Sequence, residues 1–270
     1  MNITWEKRDK AAMNERQQEI LDILKGHGFA SVGGLSSHFD VSEMTIRRDL
    51  QILEENSAAR RVHGGVVSVA SLGQEPVFDE RAASLVEEKK IIADLAVEIV
   101  RDNSVIALDT GSTVLALIQR LVSKNNLTII TTNIHIMLVC LQHPNLKVIV
   151  PGGVLRPYEG SLAGANTVEF LSACHVDQFF MGVGGIDAKA GVTEYSLEDI
   201  AVKRALVTNA RQVIVLADSS KFGKVTFASI CPLDEIDMVI SNEAPGQNYA
   251  KFFDRINIPV MYPQEISKAG

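Results

Sequence analysis

The chain has 270 residues and a formal net charge of −7, with 46% hydrophobic and 22% charged residues. This length leaves room for two domains. No apolar stretch approaches the ~18 residues that a membrane helix needs, and the charged N-terminus offers no apolar core for a signal peptide. We therefore expect a cytoplasmic protein with no membrane partner. Residues 1–70 carry nine Lys/Arg against ten Asp/Glu, so bulk charge gives no support for nucleic-acid binding.

The three cysteines, Cys140, Cys174 and Cys231, are widely separated, and each lies in or beside an apolar stretch. This usage is typical of buried thiols and not of a disulfide framework. The neighbours Cys174 and His175 have no Cys-x-x-Cys or His-x-x-x-His partner, so spacing alone does not indicate a zinc site. We expect neither a metal nor a cofactor.

Two helices are predicted near the N-terminus. The first spans residues 16–25 and places its apolar side chains on one face. The second is short, with Leu35 and Phe39 four residues apart. Gly33 and Gly34 each cost about 1 kcal/mol relative to Ala in a helix interior. We therefore expect this second helix to start late and to depend on tertiary packing.

A third helix begins after Ser42, which is a natural N-cap residue. Its residues Ile46, Leu50 and Leu53 form one apolar stripe that should pack inward. The residues left mostly on other faces are Glu43, Met44, Thr45, Arg47 and Arg48. The apolar and basic run 60–67 follows, and its Gly64-Gly65 pair predicts the turn of a small hairpin wing.

This arrangement is suited to DNA, because a major groove about 12 Å wide accepts one helix while flanking cations bind phosphates. The candidates for base contacts are Met44, Thr45 and Arg47. The candidates for phosphate contacts are Arg48, Arg60 and Arg61, and the assignment between Arg47 and Arg48 stays open. The alternative is the solvated, salt-bridged face of an ordinary helix, formed by Arg47, Arg48, Asp49, Glu54 and Glu55.

We place a DNA-binding domain at residues 1–68, a linker at 69–80 and a second domain at 81–270, because residues 68–80 lose all periodicity and contain Gly73 and Pro76. Beyond the linker, helices alternate with short apolar strands. The predicted strands are residues 104–109, 127–132, 146–150, 178–183, 212–217 and 238–241. This alternation is typical of an α/β domain with a mainly parallel sheet covered on both faces.

A candidate anion site lies where the first of these strands ends. The turn Asp109-Thr110-Gly111-Ser112-Thr113 runs directly into a helix at 114–121. Free N–H groups at a helix start, together with two hydroxyls and a glycine that permits close approach, can hold a phosphate. The alternative is an ordinary turn with Ser or Thr as the N-cap.

Small and polar residues recur where four other strands should end, at 131–133, 151–153, 182–185 and 218–221. Ligands of open parallel sheets bind at those carboxyl ends, so we expect one shared crevice with Lys221 as a phosphate cation. The alternatives are simple turn chemistry for the glycines and a solvated side chain for Lys221.

The N-terminal pattern resembles the DeoR family of bacterial regulators. The matching residues are Arg16, Ile20, Leu24, Ser42, Thr45, Ile46, Arg47, Arg48, Asp49, Leu50, Arg61, His63, Gly64 and Gly65. Gly33-Gly34 is a departure, since the family usually carries helix-forming residues there. The resemblance implies a winged helix-turn-helix. Together with the groove argument, it makes Ser42, Met44, Thr45, Arg47, Arg48, Arg60, Arg61 and His63 the candidate DNA-binding residues.

The likeness extends into the second domain through Pro76, Phe78, Arg81, Glu88-Lys89, the Asp-x-Gly-Ser-Thr turn, Thr132-Asn133, Gly152-Gly153, Gly184-Gly185 and Asp218-x-Ser220-Lys221-Phe222. It implies an effector domain similar to ribose-5-phosphate-isomerase-type folds, and therefore a phosphorylated sugar as ligand. By this resemblance, Asp109, Gly111, Ser112, Thr113 and Lys221 would hold the ligand. The full candidate effector site adds the neighbouring turn residues Thr110, Thr132, Asn133, Gly152, Gly153, Gly184 and Gly185.

The sequence thus predicts a transcriptional regulator, a repressor of carbohydrate genes that a phosphorylated sugar controls. We expect a dimer or higher oligomer, because one winged domain covers too little DNA for tight binding. The alternative is a sugar-phosphate isomerase with an accessory N-terminal domain. Its candidate bases would be Asp109, Glu194, Glu198 and Asp218, none of which the sequence can place beside a substrate.

Overall fold

The computed structural model describes residues 13–27, 29–56, 58–62, 65–68 and 78–264. The chain divides into two compact units, residues 1–72 and 73–270.

The first unit is a helix-turn-helix with a small sheet. Its helices are α1 (Glu15–His27), α2 (Val32–Phe39) and α3 (Glu43–Glu55). Its strands are β1 (Phe29–Ser31), β2 (Ala59–Val62) and β3 (Gly65–Ser68), which form an antiparallel sheet in the order β1-β3-β2. The buried apolar core is formed by Ile20, Leu24, Val32, Leu35, Ile46, Leu50, Leu53, Ala59 and Val66. The three predicted helices are confirmed.

Helix α2 does not start late, so that part of the prediction was wrong. It begins at Val32 and includes both glycines. The reason is the N-cap Ser31, whose hydroxyl accepts a hydrogen bond from the N–H of Gly34 at 3.0 Å. Such a cap contributes about 0.5–2 kcal/mol, which offsets much of the cost of two glycines.

The predicted hairpin wing is present as the antiparallel pair β2 and β3. Gly65 was predicted to lie in the turn, but it belongs to β3 and pairs with Val62. Gly64, the other predicted turn residue, and the preceding His63 lie outside the described residues. Strand β1 was not predicted, and it pairs with β3 on the side away from β2.

The second unit is built from alternating strands and helices. Its strands are β4 (Val105–Leu108), β5 (Thr128–Thr131), β6 (Lys147–Ile149), β7 (Val154–Arg156), β8 (Ser161–Ala163), β9 (Gln178–Gly182), β10 (Gly185–Asp187), β11 (Gly191–Glu194), β12 (Val213–Leu216), β13 (Ala228–Cys231), β14 (Met238–Ile240) and β15 (Val260–Met261). Its helices are α4 (Phe78–Ala83), α5 (Val86–Glu98), α6 (Ser112–Leu121), α7 (Ile134–Leu141), α8 (Ala165–Ser172), α9 (Leu197–Asn209) and α10 (Gln247–Arg255).

A seven-stranded parallel sheet in the order β15-β14-β12-β9-β4-β5-β6 forms the centre of this unit. Six of its strands were predicted, and each of these is confirmed. The two-residue strand β15 was missed, as were the hairpin β7-β8 and the antiparallel sheet β10-β11-β13. Gly185 was predicted to lie in a turn, and it begins β10.

Helices cover both faces of the parallel sheet, as predicted. Alternate residues of a strand point to opposite faces, so Ala107 packs into one apolar layer while Ile106 and Leu108 pack into the other. The first layer contains buried residues of α8, α9 and α10, and the second contains those of α5, α6 and α7. The carboxyl ends of the central strands are thereby held in a rigid frame.

Helix α4 begins at Phe78, so the last three residues of the predicted linker are helical. The rest of that linker, residues 69–77, lies outside the described residues. Within the part of the chain that the structure describes, no helix has the length and hydropathy needed to span a membrane. Cys140 and Cys231 are buried, whereas Cys174 is only half-buried, in contrast to the prediction.

Candidate functional site

Helix α3 has an inner and an outer face. Ile46, Leu50 and Leu53 are fully buried, as their spacing predicted. Ser42 caps the helix, since its hydroxyl accepts a hydrogen bond from the N–H of Thr45 at 3.2 Å. Met44 is 75% exposed on the outer face. The first turn of α3 therefore presents side chains to the solvent from a helix that is rigidly held.

The two arginines of α3 are both exposed. Arg47 forms an ion pair with Glu43 one turn earlier, with 3.1 Å between Nη2 and Oε2. Exposed pairs of this kind are worth about 0–1 kcal/mol, so a phosphate or a base edge can compete for Arg47 at little cost. This pair matches part of the solvated-face interpretation.

Asp49 does not belong to a solvated face, so that part of the interpretation was wrong. Its buried carboxylate accepts hydrogen bonds from Arg16 Nε at 2.6 Å and Gln17 Nε2 at 2.9 Å. Burial alone would raise the pKa of Asp49, but these hydrogen bonds lower it overall. Asp49 therefore ties α3 to α1, and this contribution to stability is present at neutral pH and is lost as the pH falls through the lowered pKa.

The wing is attached to the end of α3. The backbone N–H of Arg61 donates to Glu54 Oε1 at 3.0 Å, which leaves the Arg61 side chain exposed. The backbone of Arg60 pairs with Val67 in the hairpin. The Arg60 side chain and all of His63, two further predicted DNA contacts, lie outside what the structure describes.

The predicted effector turn lies at the point where the parallel sheet reverses its order of strand addition. From β4 the chain adds β5 and β6 on one side, and from β9 it adds β12, β14 and β15 on the other. Adjacent crossovers then leave in opposite directions, which opens a crevice between β4 and β9. Asp109 and Thr110 follow β4 and are buried in this crevice.

Gly111 is the N-cap of α6, so no Ser or Thr side chain caps this helix. This finding contradicts the simple-cap alternative. Gly111 has φ +128°, a conformation that favours glycine, and a Cβ atom placed there would meet nothing within 4 Å. Ser112 and Thr113 follow in the first turn and are half-buried. The start of α6 therefore offers N–H groups and two hydroxyls beside open space.

Asn133 joins the ends of β4 and β5. Its Nδ2 donates to Thr110 Oγ1 at 3.0 Å, and its Oδ1 caps α7 by accepting from Ile136 N at 3.1 Å. Thr132 is also buried, and its carbonyl accepts a hydrogen bond from Leu162 N. Both predicted residues are thus engaged in holding the floor of the crevice.

A buried lysine that sequence reasoning missed lies under the crevice. Lys203 of α9 is 1% exposed, and its Nζ is 2.7 Å from Asp109 Oδ2 and 2.8 Å from Glu194 Oε2. It also donates to the carbonyl of Gly182 at 2.6 Å. Lys203 therefore joins the ends of β4 and β9 to β11.

The charges of Lys203, Asp109 and Glu194 attract one another, which offsets part of the cost of burying them. Burial raises the pKa of Asp109 to about 6, even though Lys203 opposes that shift. Burial alone would lower the pKa of Lys203, but Asp109 and Glu194 raise it above its usual range. Lys203 therefore stays protonated at neutral pH, because neither carboxylate is tolerable there without it.

Further cations lie near Asp218, which follows β12. Lys221 ends the turn after β12, which Asp218 caps by accepting from Ser220 N at 3.0 Å. Burial lowers the pKa of Lys89 to about 8. The positive charges of Lys221 and Arg81 lower this pKa further, whereas the carboxylate of Asp218 opposes the shift.

Lys224 belongs to the same group of cations. Burial lowers the pKa of Lys224, and the positive charge of Arg81 lowers it further. The carboxylates of Asp218 and Glu194 oppose this shift. The ammonium of Lys224 lies 5.4 Å from the ring centroid of Tyr195. The four cations Arg81, Lys89, Lys221 and Lys224 are therefore neighbours of Asp218 and Glu194.

Three of the four glycines in the two predicted pairs are packed closely against other segments. A Cβ on Gly153 would lie 2.1 Å from Thr167 Oγ1, and one on Gly185 would lie 2.2 Å from the carbonyl oxygen of Lys224. A Cβ on Gly184 would lie 2.9 Å from Glu194 Oε1, whereas one on Gly152 would meet nothing within 4 Å. Gly184 and Gly185 thus let the chain pass beside Glu194 and Lys224.

The structure also places the carboxylates considered as enzymatic bases. Asp109 and Glu194 come together, but both are bound by Lys203. Asp218 caps its own turn, and Glu198 lies exposed at the start of α9, where it accepts from Ser196 Oγ at 2.8 Å. A general base needs hydrogen-bond reach to the substrate proton, and these carboxylates already have other partners.

Known proteins match both units. Residues 16–71 match the DeoR-like helix-turn-helix domain, and residues 84–243 match the DeoR C-terminal sensor domain. The HTH-type transcriptional regulator GolR of Listeria innocua is 32% identical over 246 residues, which cover 91% of this chain and 97% of GolR. The glycerol-3-phosphate regulon repressor of Escherichia coli K12 is 32% identical over 231 residues, covering 86% of this chain and 91% of the repressor.

A third relative, the HTH-type transcriptional repressor GlcR of Bacillus subtilis, is 33% identical over 251 residues, covering 93% of this chain and 96% of GlcR. Among solved structures, a D-ribose-5-phosphate isomerase in complex with phospho-erythronic acid aligns with a TM-score of 0.39 and 20% identity, over 51% of this chain and 54% of that chain. That likeness is partial, whereas the sequence matches span both units. The chain belongs to the DeoR family of transcriptional regulators.

Proposed function

We propose that this protein is a cytoplasmic repressor that binds operator DNA through α3 and the wing and is controlled by a phosphorylated sugar at the crevice between β4 and β9. One observation carries the proposal: the start of α6, which lacks a side-chain cap, follows β4 at the carboxyl edge of the parallel sheet, the same edge at which Lys221 follows β12. Relatives named as repressors support it, and one of them controls a glycerol-3-phosphate regulon.

At the DNA, we assign base contacts to Met44, Thr45 and Arg47, and phosphate contacts to Arg48 and the wing. The wing residues in this role are Arg60, Arg61 and His63. Ser42 fixes the start of the helix that carries the base contacts. These roles agree with the exposure of Met44, Arg47 and Arg48 and with the capping of α3.

At the crevice, we assign the phosphate to the N–H groups of the first turn of α6, the hydroxyls of Ser112 and Thr113, and Lys221. Gly111, Gly152, Gly184 and Gly185 would shape the space for the sugar. We assign Asp109, Thr110, Thr132, Asn133 and Gly153 to holding these groups in place, because each is engaged in buried contacts. Preferential binding to one of two states, worth about 1–3 kcal/mol, is sufficient for regulation.

A ligand panel tests this function. Phosphorylated sugars and polyols, including glycerol 3-phosphate, are screened for thermal stabilisation of the full chain and then titrated into a preformed operator complex. A ligand at about 100 times its Kd adds about 2.7 kcal/mol of stability. We expect one compound to do this and to release the operator, while its dephosphorylated form does neither. If no phosphorylated compound changes stability or operator binding, the effector assignment is wrong.

We further propose that the protein is not an enzyme. The relatives are named as regulators, and the carboxylates under the crevice are bound by Lys203. Turnover of any panel member to its isomer, followed by chromatography, would contradict this.

The variants Arg47→Ala and Arg48→Ala are each expected to weaken operator binding while leaving the thermal unfolding of the protein unchanged, because both side chains are exposed. Loss of a phosphate contact should flatten the slope of log affinity against log salt concentration by about one unit. Fluorescence anisotropy over a range of salt concentrations measures both. Gln51→Ala, on an exposed later turn of α3, serves as the control. If both arginine variants bind the operator as tightly as wild type, the assignment of α3 as the DNA-binding helix is wrong.

The protein is expected to bind DNA as a dimer or higher oligomer, because two winged units in one assembly turn a modest contact into a strong one. Footprinting should then show two half-sites separated by a near-integral number of helical turns. Analytical ultracentrifugation of the free protein provides the oligomeric state. A monomer that protects a single short site would contradict the prediction.

A further inference from the structure

Helix α4 follows the linker in sequence and packs against the helices of the proposed effector site. It is the first described helix after residues 69–77, which connect it to the winged unit in sequence. Helix α4 packs against α6, the helix whose start we assign to the phosphate. Phe78 at the start of α4 is buried and stacks on His135 of α7, with ring centroids 4.1 Å apart and planes 2° from parallel. A shift of α6 or α7 would therefore displace α4, which contacts both helices.

Arg81 of α4 is held by an acidic partner from a distant part of the chain. Its guanidinium forms an ion pair with Glu159, which lies between β7 and β8 and is almost fully buried. The guanidinium carbon of Arg81 also lies 5.8 Å from the centroid of the Phe78 ring. The ammonium of Lys89 donates to the backbone carbonyls of Arg81 and Ser84, which ties the end of α4 to α5.

Arg81 also lies near the crevice, because its partner Glu159 directly precedes Gly160, whose carbonyl accepts a hydrogen bond from the N–H of Ile134, the residue after Asn133. Its positive charge lowers the pKa values of Lys89, Lys224 and Glu194. Glu194 is the carboxylate that shares Lys203 with Asp109. Arg81 is thus the member of the cation group that belongs to the helix nearest the winged unit in sequence. No other described helix of this unit lies closer in sequence to residues 69–77.

We propose that Arg81 signals effector occupancy: the phosphate of the bound sugar competes with Glu159 for the Arg81 guanidinium and thereby repositions α4. This inference rests on the proposed function. It adds Arg81 to the ligand contacts and identifies α4 as the element that responds to the ligand.

The chemistry suits such an exchange. A guanidinium presents its N–H groups in a planar fork that binds a carboxylate or a phosphate in the same way, and a phosphate dianion carries more charge than Glu159. Glu159 is not stranded when Arg81 leaves, because Arg156 also acts on its charge. Arg156 in turn is paired with Asp199 of α9. The exchange therefore leaves a buried carboxylate that still has a cation nearby, which avoids the large cost of an unpaired buried charge.

Three variants of the full chain test the proposal. Arg81→Gln removes the fork, and Glu159→Gln removes the competitor without changing the size of its side chain. Asp94→Asn is the matched control, because Asp94 pairs with Arg120 at 2.7 Å through side chains more exposed than those of Arg81 and Glu159. Calorimetry with inorganic phosphate and with the best phosphorylated compound of the panel provides ligand affinity without DNA. Hydrogen exchange of the peptide covering residues 78–89 reports on α4.

We expect Arg81→Gln to weaken phosphate affinity by about tenfold or more and Glu159→Gln to strengthen it by several-fold, since each changes one charge-assisted contact. Asp94→Asn should match wild type. Ligand binding should change the exchange of residues 78–89 in wild type and in Asp94→Asn, but not in Arg81→Gln. The opposite direction of the two affinity changes cannot come from general misfolding.

Wild-type binding with unchanged affinity in both Arg81→Gln and Glu159→Gln would overturn the exchange, and the proposed function would stand. Affinity changes without any ligand-dependent change in the exchange of residues 78–89 would overturn the role of α4. If wild type binds neither inorganic phosphate nor any panel compound, the proposed function and this inference both fail.

Discussion

Lys203→Met is expected to lower the free energy of unfolding by about 3–5 kcal/mol, the range found when one partner of a buried ion pair is removed. The substitution keeps the length and the apolar stem of the side chain but leaves Asp109 and Glu194 buried without a cation. The carbonyl of Gly182 also loses a donor. Guanidinium denaturation followed by circular dichroism measures the change at neutral pH.

The control for Lys203→Met is Lys90→Met, which removes an exposed lysine paired with Glu87 at 2.6 Å and should have little effect. A triple variant with Asp109→Asn, Glu194→Gln and Lys203→Met should regain part of the lost stability, because it removes the uncompensated charges as well. If Lys203→Met unfolds at the denaturant concentration of wild type, the cluster does not carry the charges described for it.

Lys221→Ala is expected to weaken effector binding by about 1.5–3 kcal/mol, which is about ten- to more than a hundredfold in affinity. The affinity for the operator should stay near that of wild type. The reason is the loss of one charge-assisted contact to the phosphate from a half-buried lysine at the end of β12. The measurement is a titration of a preformed protein–operator complex with the panel compound, at fixed salt.

Lys251→Ala, an exposed lysine on α10, is the control for Lys221→Ala and should respond as wild type does. If Lys221→Ala releases the operator at the wild-type ligand concentration, Lys221 is a solvated lysine and does not contact the effector. If it loses operator affinity without ligand, its role is in the coupling between the units.

The sequence predicted the parallel sheet well because its strands are short, continuous apolar runs between turn residues, a pattern that buried parallel strands require. The strand at Gln178–Gly182, for example, is buried along its whole length. The hairpin β7-β8 and the strand β15 contain only two or three residues each. Segments of that length carry no periodicity that distinguishes them from loops.

The residues that hold the two sites together could not be predicted. A lone lysine in a helical pattern is normally solvated, and nothing near Lys203 in sequence shows that Asp109 and Gly182 approach it from two other strands. The solvated-face alternative misplaced Asp49 for the same reason, since its partners Arg16 and Gln17 lie on another helix. Long-range pairing of charges is determined by the fold, and only the fold reveals it.

The two faces of α3 have a consequence for how regulators of this kind diverge. The inner face, with Ile46, Leu50 and the pairing of Asp49 to α1, determines the position of the helix. The outer side chains Met44 and Arg48 contribute little to that position because they are exposed. Duplicated copies of such a gene can therefore accept substitutions on the outer face, including those at the side chains we assign to the DNA, one at a time and without passing through unstable intermediates.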